Sequence, residues 1–299
     1  MAFGIKLSKG LQWTNVTADK LNLKSLRVAI IGGTGGIGQS FSRLFQSKGA
    51  EVIVVGRTFK DGDLKNVQFI KADLDLMSEA RRVSQELAKQ PLDLVIFTTG
   101  IFAAPTREET AEGLERDMAV SYLSRLVIIR GILPTLEKNS THMFKRPRVF
   151  IVGFPGTGEL GKVDDLNSEG KYSAMQTHMT TVAGNEALVL DSAQRYPKIG
   201  LYGLNPGLIK TSIRNNFLGA DSWKSWAIEG IIGLWCQNAE QYALRMLPMM
   251  VSSDLEAHSP AFFNNKAEAI QSQKFTEPYV KEFIGNSEEL VRKSGIPLD

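Results

Sequence analysis

The sequence predicts an α/β protein: a doubly wound parallel sheet in a three-layer α/β/α arrangement, forming one domain with a small helical cap. Three observations predict it. Short apolar runs rich in valine and isoleucine recur along the 299 residues, and such runs read as strands buried on both faces. Stretches with helical spacing separate them, which calls for a parallel sheet joined by right-handed crossovers. Five glycines fall within positions 32–38, between the first such run and the first helical stretch.

The elements follow in order. Residues 1–25 read as an N-terminal arm in which Trp13 docks. Arg27–Ile31 is the first strand. Apolar residues at 37, 41, 44 and 45 share one helix face, and Gly49 stops that helix. Strands at 51–55 and 67–70 come next, then a helix at 78–88 and a strand at 93–97 ending at Thr98-Thr99-Gly100. A long helix lies within 111–136, bent or ended near Gly131 and Pro134. Arg148–Val152 is a strand, 172–194 a helix, and 199–204 a strand closing on Asn205-Pro206-Gly207. Residues 261–264 make a last strand and 278–293 a C-terminal helix. Six or seven strands in one series fit a single domain over 26–265, with 212–250 as helical cap and substrate lid and 266–299 as a helical tail.

Composition narrows the function. Lys and Arg number 35 against 32 Asp and Glu, without a basic block, which argues against a nucleic-acid partner. The single cysteine, Cys236, forbids an internal disulfide. The histidines His142, His178 and His258 lack metal-ligand spacing, so no metal is expected. The most apolar windows carry Arg125, Arg130 or Glu229, short of the roughly 20 uninterrupted apolar residues of a membrane span. The first residues have no apolar signal segment, and a cytoplasmic location is expected.

The glycine cluster carries the chemistry. A phosphate approaches a backbone closely only where no side chain intervenes, and a helix start offers free N–H groups and positive dipole. The strand–turn–helix context makes Gly32, Thr34, Gly35, Gly36, Ile37 and Gly38 candidate dinucleotide contacts; the competing reading is a tight turn that binds nothing. At the end of the second strand, an acidic residue would bind a ribose 2′-hydroxyl and a basic one a 2′-phosphate. Arg57 stands there with Lys60 nearby, which points to NADP(H) over NAD(H).

These residues resemble the short-chain dehydrogenase/reductase family over about 26–265. Gly32, Gly36 and Gly38 fit its Gly-x-x-x-Gly-x-Gly turn, and Asp73-Leu74 looks like its adenine-pocket pair. Thr98-Thr99-Gly100 stands where the family has Asn-Asn-Ala-Gly. Asn205-Pro206-Gly207-Leu208-Ile209-Lys210-Thr211 is similar to its Pro-Gly-x-x-x-Thr segment. The resemblance implies a Rossmann fold, a nicotinamide cofactor, a small-molecule substrate and pairing of chains through helices near 112–136 and 172–194. It adds Asp73, Leu74, Thr99, Gly100, Pro206, Gly207, Ile209 and Thr211 to the cofactor set.

The catalytic positions depart from that pattern. Tyr172-Ser173-Ala174-Met175-Gln176 resembles the family's Tyr-x-x-x-Lys, with Gln176 in place of lysine. Gly153 to Gly156 stand where a serine is expected, and Thr157 is the nearest hydroxyl. Ser121 replaces an asparagine on the long helix. A neutral Gln176 can bond a ribose but supplies no charge to lower the tyrosine pKa from its usual value near 10. The segment from Tyr172 to Pro206 is also about one helical turn longer than usual. On a continuous helix, His178 would lie about 240° from Tyr172, on another face. The expected activity is NADP(H)-dependent reduction of a carbonyl on a small hydrophobic substrate, with Tyr172 as proton donor and Ser121, Thr157 and Gln176 as its substituted partners. Phe217, Trp223 and Trp226 would line the lid. Two alternatives stand beside it: a cofactor-binding sensor or scaffold without turnover, and a non-redox isomerase or cyclase.

Overall fold

The computed structural model describes residues 4–138, 143–207, 209 and 238–298. Its strands are β1 (Arg27–Ile31), β2 (Glu51–Gly56), β3 (Val67–Lys71), β4 (Leu94–Phe97), β5 (Arg148–Val152), β6 (Gly200–Leu204), β7 (Ala261–Phe263) and β8 (Ala269–Ile270). They form one sheet in the order β3-β2-β1-β4-β5-β6-β7-β8. β1 to β7 are parallel; β8 alone pairs antiparallel, with β7. The chain winds outward from β1 to β3, then returns and winds the other way from β4. That reversal opens a crevice between the carboxyl ends of β1 and β4, where doubly wound sheets take their ligands.

The helices are α1 (Gly36–Ser47), α2 (Met77–Leu87), α3 (Arg116–Leu136), α4 (Ala174–Arg195), α5 (Ala239–Val251) and α6 (Glu277–Lys293). Alternate residues of β1 explain the three layers. Val28 and Ile30 pack with Phe41 and Phe45 of α1 and Tyr242 and Met246 of α5. Ala29 and Ile31 belong to the opposite core, with α2, α3, α4 and α6. A strand buried on both faces has no polar side, so its sequence reads as a continuous apolar run. The same holds for α3, which is, among the described residues, the one helix long and apolar enough to cross a membrane. It is a core helix: 83% of its apolar window is buried inside the protein.

The elements agree with the sequence pattern within a few residues, with informative differences. β8 arises because Asn264 and Ala267 turn the chain back on β7; a two-residue strand leaves no periodicity to read. The N-terminal arm covers that new edge. Ser8 N–H donates to Ala269 O at 2.8 Å, Gln271 N–H to Lys6 O at 2.9 Å, and Trp13 Nε1 to Ala267 O at 2.8 Å. An edge so covered offers no template for pairing with another chain. The lid over 212–236, with Phe217, Trp223 and Trp226, lies outside the described residues; of the cap, α5 is described.

Candidate active site

The dinucleotide cradle is built by close approach. Gly32 has φ +89°, and a Cβ there would sit 2.5 Å from Thr99 N. A Cβ on Gly38 would sit 2.3 Å from the Gly32 carbonyl oxygen and 2.4 Å from Thr98 Oγ1. The turn after β1 is therefore pressed against the chain leaving β4, and no other residue type fits at these positions.

The start of α1 is also left open. Glu115, Ser173, Asn238 and Thr276 cap α3, α4, α5 and α6 with side-chain bonds. At α2 the Glu112 carboxylate accepts from Met77 N and Ser78 N. Gly35, the cap residue of α1, supplies no side-chain bond, and its neighbours Gly36 and Gly38 have none to give. An uncapped helix start presents free N–H donors and positive potential, the partner an anionic group requires. Beside it, the Thr99 hydroxyl is buried without a hydrogen-bond partner among the described residues. An open helix start, a cradle that a Cβ would fill and an orphaned hydroxyl together fit a nicotinamide dinucleotide.

The other cofactor candidates surround this cradle. The Thr34 side chain lies 2.7 Å from where a Gly56 Cβ would be, at the end of β2. The next residue, Arg57, is exposed, and its charge reaches Asp75. Asp73 is exposed and accepts a long bond from Asp75 N at 3.3 Å. Leu74 is buried in the core at 5% exposure. Gly100 and Ile37 are half-buried beside Thr99 and Gly36. On the far side, Asn205 accepts from Gly207 N at 3.0 Å and donates to Pro155 O at 2.8 Å, fixing the Pro206-Gly207 turn. Ile209 is buried; Thr211 and Lys210 lie outside the described residues.

The catalytic candidates are arranged differently from the expected pattern. Ser173 is extended, and its side chain accepts from Gln176 N, so α4 begins at Ala174. Tyr172 therefore precedes the helix, and Gln176 is an exposed first-turn residue rather than one turn along the same face. The helical angle separating Tyr172 from His178 has no meaning here, and both reach the segment after β4. Tyr172 Oη donates to Ala104 O at 2.8 Å, while the His178 ring stacks on Phe102 at 4.1 Å between centroids. Burial, then the charges of Glu115, Asp117 and Glu108, push the Tyr172 phenol up to about 12. With no cation in place of the lysine, phenolate is disfavoured.

Thr157 stands apart. It follows Gly156, which packs on Ile270 and accepts from Gln273 Nε2 at 2.9 Å. Its hydroxyl accepts from Glu159 N at 3.4 Å. The family serine has no room at Gly153, where a Cβ would lie 2.7 Å from the Asn185 Cβ.

Ser121 is where a polar seam crosses the core. Its hydroxyl donates to Asp117 Oδ1 at 2.5 Å and accepts from Ile101 N at 3.0 Å. The other Asp117 oxygen meets His178 Nδ1 at 2.8 Å. One turn deeper, Asn185 Nδ2 donates to Ser121 O at 2.9 Å, and Asn185 Oδ1 accepts from Arg125 Nη1 at 2.8 Å. Arg125 also donates to Val152 O at 2.7 Å and to Thr99 O. Burial lowers its guanidinium to about 9, opposed by the charge of Asp117. The seam thus ties the ends of β4 and β5 to α3 and α4, directly beside the cradle.

Asp117, Arg125 and Asn185 are the functional-site residues that the sequence reading missed. The signal was present: Asp117, Ser121 and Arg125 recur every four residues along a helix rich in apolar residues.

This architecture has relatives. The pattern defining short chain dehydrogenases matches residues 27–142. Over 289 residues the chain is 48% identical to an uncharacterized oxidoreductase of Saccharomyces cerevisiae, covering 95% of this chain and 94% of the yeast protein. It is 23% identical to the short-chain dehydrogenase/reductase prx1 of Penicillium roqueforti, over 83% of this chain and 76% of that one. Among solved structures, Pseudomonas aeruginosa RhlG, in an NADP active-site complex, aligns with a TM-score of 0.60. That match has 19% identity and covers 81% of this chain and 95% of the other, and shows the fold alone. The chain belongs to the short-chain dehydrogenase/reductase family, and is an oxidoreductase by that membership.

Proposed function

We propose that the chain is an NADP(H)-dependent oxidoreductase reducing a carbonyl group on a small hydrophobic substrate. The observation that carries this reading is the uncapped start of α1 behind the glycine turn, with Thr34 and Arg57 beside it. The N–H groups of the turn bind the pyrophosphate, Thr34 and Arg57 take the 2′-phosphate, and Asp73 bounds the adenosine side. The Pro206-Gly207 turn and the Gly100 end of β4 bound the nicotinamide side. The Pseudomonas structure, an NADP complex on the same fold, supports the choice of cofactor. When bound, the reduced nicotinamide supplies a hydride.

The chain supplies position, exclusion of water and a proton. Tyr172, the donor that the family pattern implies, and His178 both border the 102–104 segment. The apolar run with Phe217, Trp223 and Trp226 supports a hydrophobic substrate.

NADPH consumption by the purified chain across a panel of aldehydes and ketones tests the reading. Turnover with at least one hydrophobic carbonyl is expected. Tight NADPH binding with no consumption would instead favour a sensor or scaffold. Arg57→Ala should weaken NADPH tenfold or more and leave NADH within about twofold, because only the 2′-phosphate loses its partner; equal losses for both would contradict the assignment of Arg57.

A further inference from the structure

We propose that His178, held by Asp117, is the acid–base residue of this reaction, and that Tyr172 is not. The inference rests on the reductase reading and adds the group that moves the proton.

Four observations carry it. First, the Asp117 carboxylate meets Nδ1 at 2.8 Å, and its other oxygen is occupied by the Ser121 hydroxyl, so the carboxylate has a fixed orientation. A carboxylate on Nδ1–H fixes the tautomer and leaves Nε2 as acceptor in the neutral ring and donor in the imidazolium. Second, no hydrogen bond engages Nε2 among the described residues, and the side chain keeps 20% of its surface exposed. The reactive nitrogen is therefore uncommitted within the described residues, on a side chain that solvent reaches. Third, stacking on Phe102 at 4.1 Å fixes the ring plane. Fourth, Phe102 lies three residues beyond Thr99, which abuts the Gly32 turn. Even a fully extended chain covers only about 11 Å in three residues. The imidazole thus stands against the segment that leaves β4 beside the cradle, within a dinucleotide's reach of it.

Tyr172 lacks these properties. Its hydroxyl proton is committed to Ala104 O, and three carboxylates oppose its ionisation.

The substrate carbonyl carbon takes up the hydride, the C=O π pair moves to oxygen, and that oxygen takes the proton from His178 Nε2. The products are an alcohol, oxidised nicotinamide and neutral imidazole, which regains its proton from solvent. Asp117 is a positioning residue, and Ser121 holds Asp117. Among the described residues, the charged and titratable groups around Tyr172 and Asp117 are Glu115 from the start of α3, Arg125 deeper on that helix, and Arg107 and Glu108 from the preceding loop.

Two readouts on the full-length chain test the proposal. The first needs no turnover: the histidine Cε1–H resonances are followed by NMR, with His178 assigned by its loss in His178→Gln. Saturating NADP+ should shift the His178 signal, and Asp117→Asn should displace it in the free chain, because the ring loses its partner on Nδ1. The second is kinetic. His178→Gln should lower kcat by about a hundredfold or more with NADPH affinity unchanged. Asp117→Asn should cost about 10–100-fold in kcat and leave the KM for NADPH within about twofold, because it misplaces the ring without touching the cofactor. A His178 signal blind to bound NADP+ overturns the proposal. So does turnover that survives His178→Gln but collapses in Tyr172→Phe; in that case the reductase reading stands and only the acid–base assignment falls. Failure of the unmodified chain to bind NADP(H), or to consume NADPH at all, removes the reductase reading and this inference with it.

Discussion

Gly153 shows how one residue redistributes a site. The sequence comparison of the family pattern with 153–157 reveals a missing serine. The structure gives the reason: Asn185 fills the space a side chain at Gly153 would need, with its Cβ 2.7 Å from the position of the absent one. Asn185 is in turn fixed by Arg125 and by the Ser121 carbonyl, so the change belongs to a set rather than to one position. Gly153→Ser is therefore expected to destabilise the fold by about 1–3 kcal/mol, the cost of overpacking, instead of restoring a catalytic hydroxyl; a denaturant midpoint no lower than that of the unmodified chain, with faster turnover, would contradict this. At Gly38 the obstacle is backbone. Gly38→Ala should abolish NADPH binding while the far-ultraviolet circular dichroism stays that of an α/β protein, because the Gly32 carbonyl cannot yield without opening the turn.

The glycine turn was legible residue by residue, since strand, turn and helix signals adjoin it. The seam was not. Its partners sit on two helices and meet only after both pack on the sheet. The angle between Tyr172 and His178 holds only on a continuous helix, and the chain is not yet helical at Tyr172 and Ser173.

Helix α3 carries much of the site, and its polar residues are its main local departures from a core helix. It contains a π-helical stretch at Ala119–Leu123, which includes Ser121. Such wide turns cluster at functional sites because they rotate one side chain relative to its neighbours. Its cap, Glu115, is 1% exposed and accepts from Met118 N at 2.7 Å. Burial, and less so the charge of Asp117, push this carboxyl up to about 7 against the cap bond from Met118. A carboxyl raised in the folded state lends its full stability below its ordinary range, and that contribution is lost as pH rises through about 7. Unfolding free energy should therefore fall by about 1–3 kcal/mol between pH 5 and pH 8. Glu115→Gln, which keeps the cap acceptor, should remove most of that fall in urea titrations at the two pH values; an unchanged difference would show that Glu115 does not titrate in this range. Arg125→Met should lower stability by about 2–4 kcal/mol, since it strands Thr99 O, Val152 O and Asn185 Oδ1 without donors. The long helix itself was read correctly from its apolar run, but no periodicity marks where the spacing of its turns changes.

The whole molecule departs from the family expectation at its surface more than in its core. The resemblance implies pairing through the two long helices, but α6 lies across them. Tyr122 Oη donates to Ser287 Oγ at 2.8 Å, and buried Arg130 joins Asp191 at 2.7 Å and Glu288 at 2.9 Å. Phe283 packs edge-on against Tyr122. This much apolar and ionic contact within one chain leaves α3 and α4 little free surface to offer a second copy. Light scattering on the full chain should give a monomer mass; a dimer that survives high salt would contradict the reading. The C-terminal helix was visible as an amphipathic run, but nothing in its sequence says which face of the domain it covers. The alternation of strands and helices reads as a parallel sheet covered on both faces, whereas the strand order, and with it the crevice between β1 and β4, is visible only in the structure. On the proposed reading this crevice holds an NADP(H) at the open start of α1. Calorimetric titration of the purified chain with NADPH and with NADH decides between the outcomes. One NADPH per chain, bound at least tenfold more tightly than NADH, is the predicted result. No heat of binding, or equal affinity for the two cofactors, would contradict it.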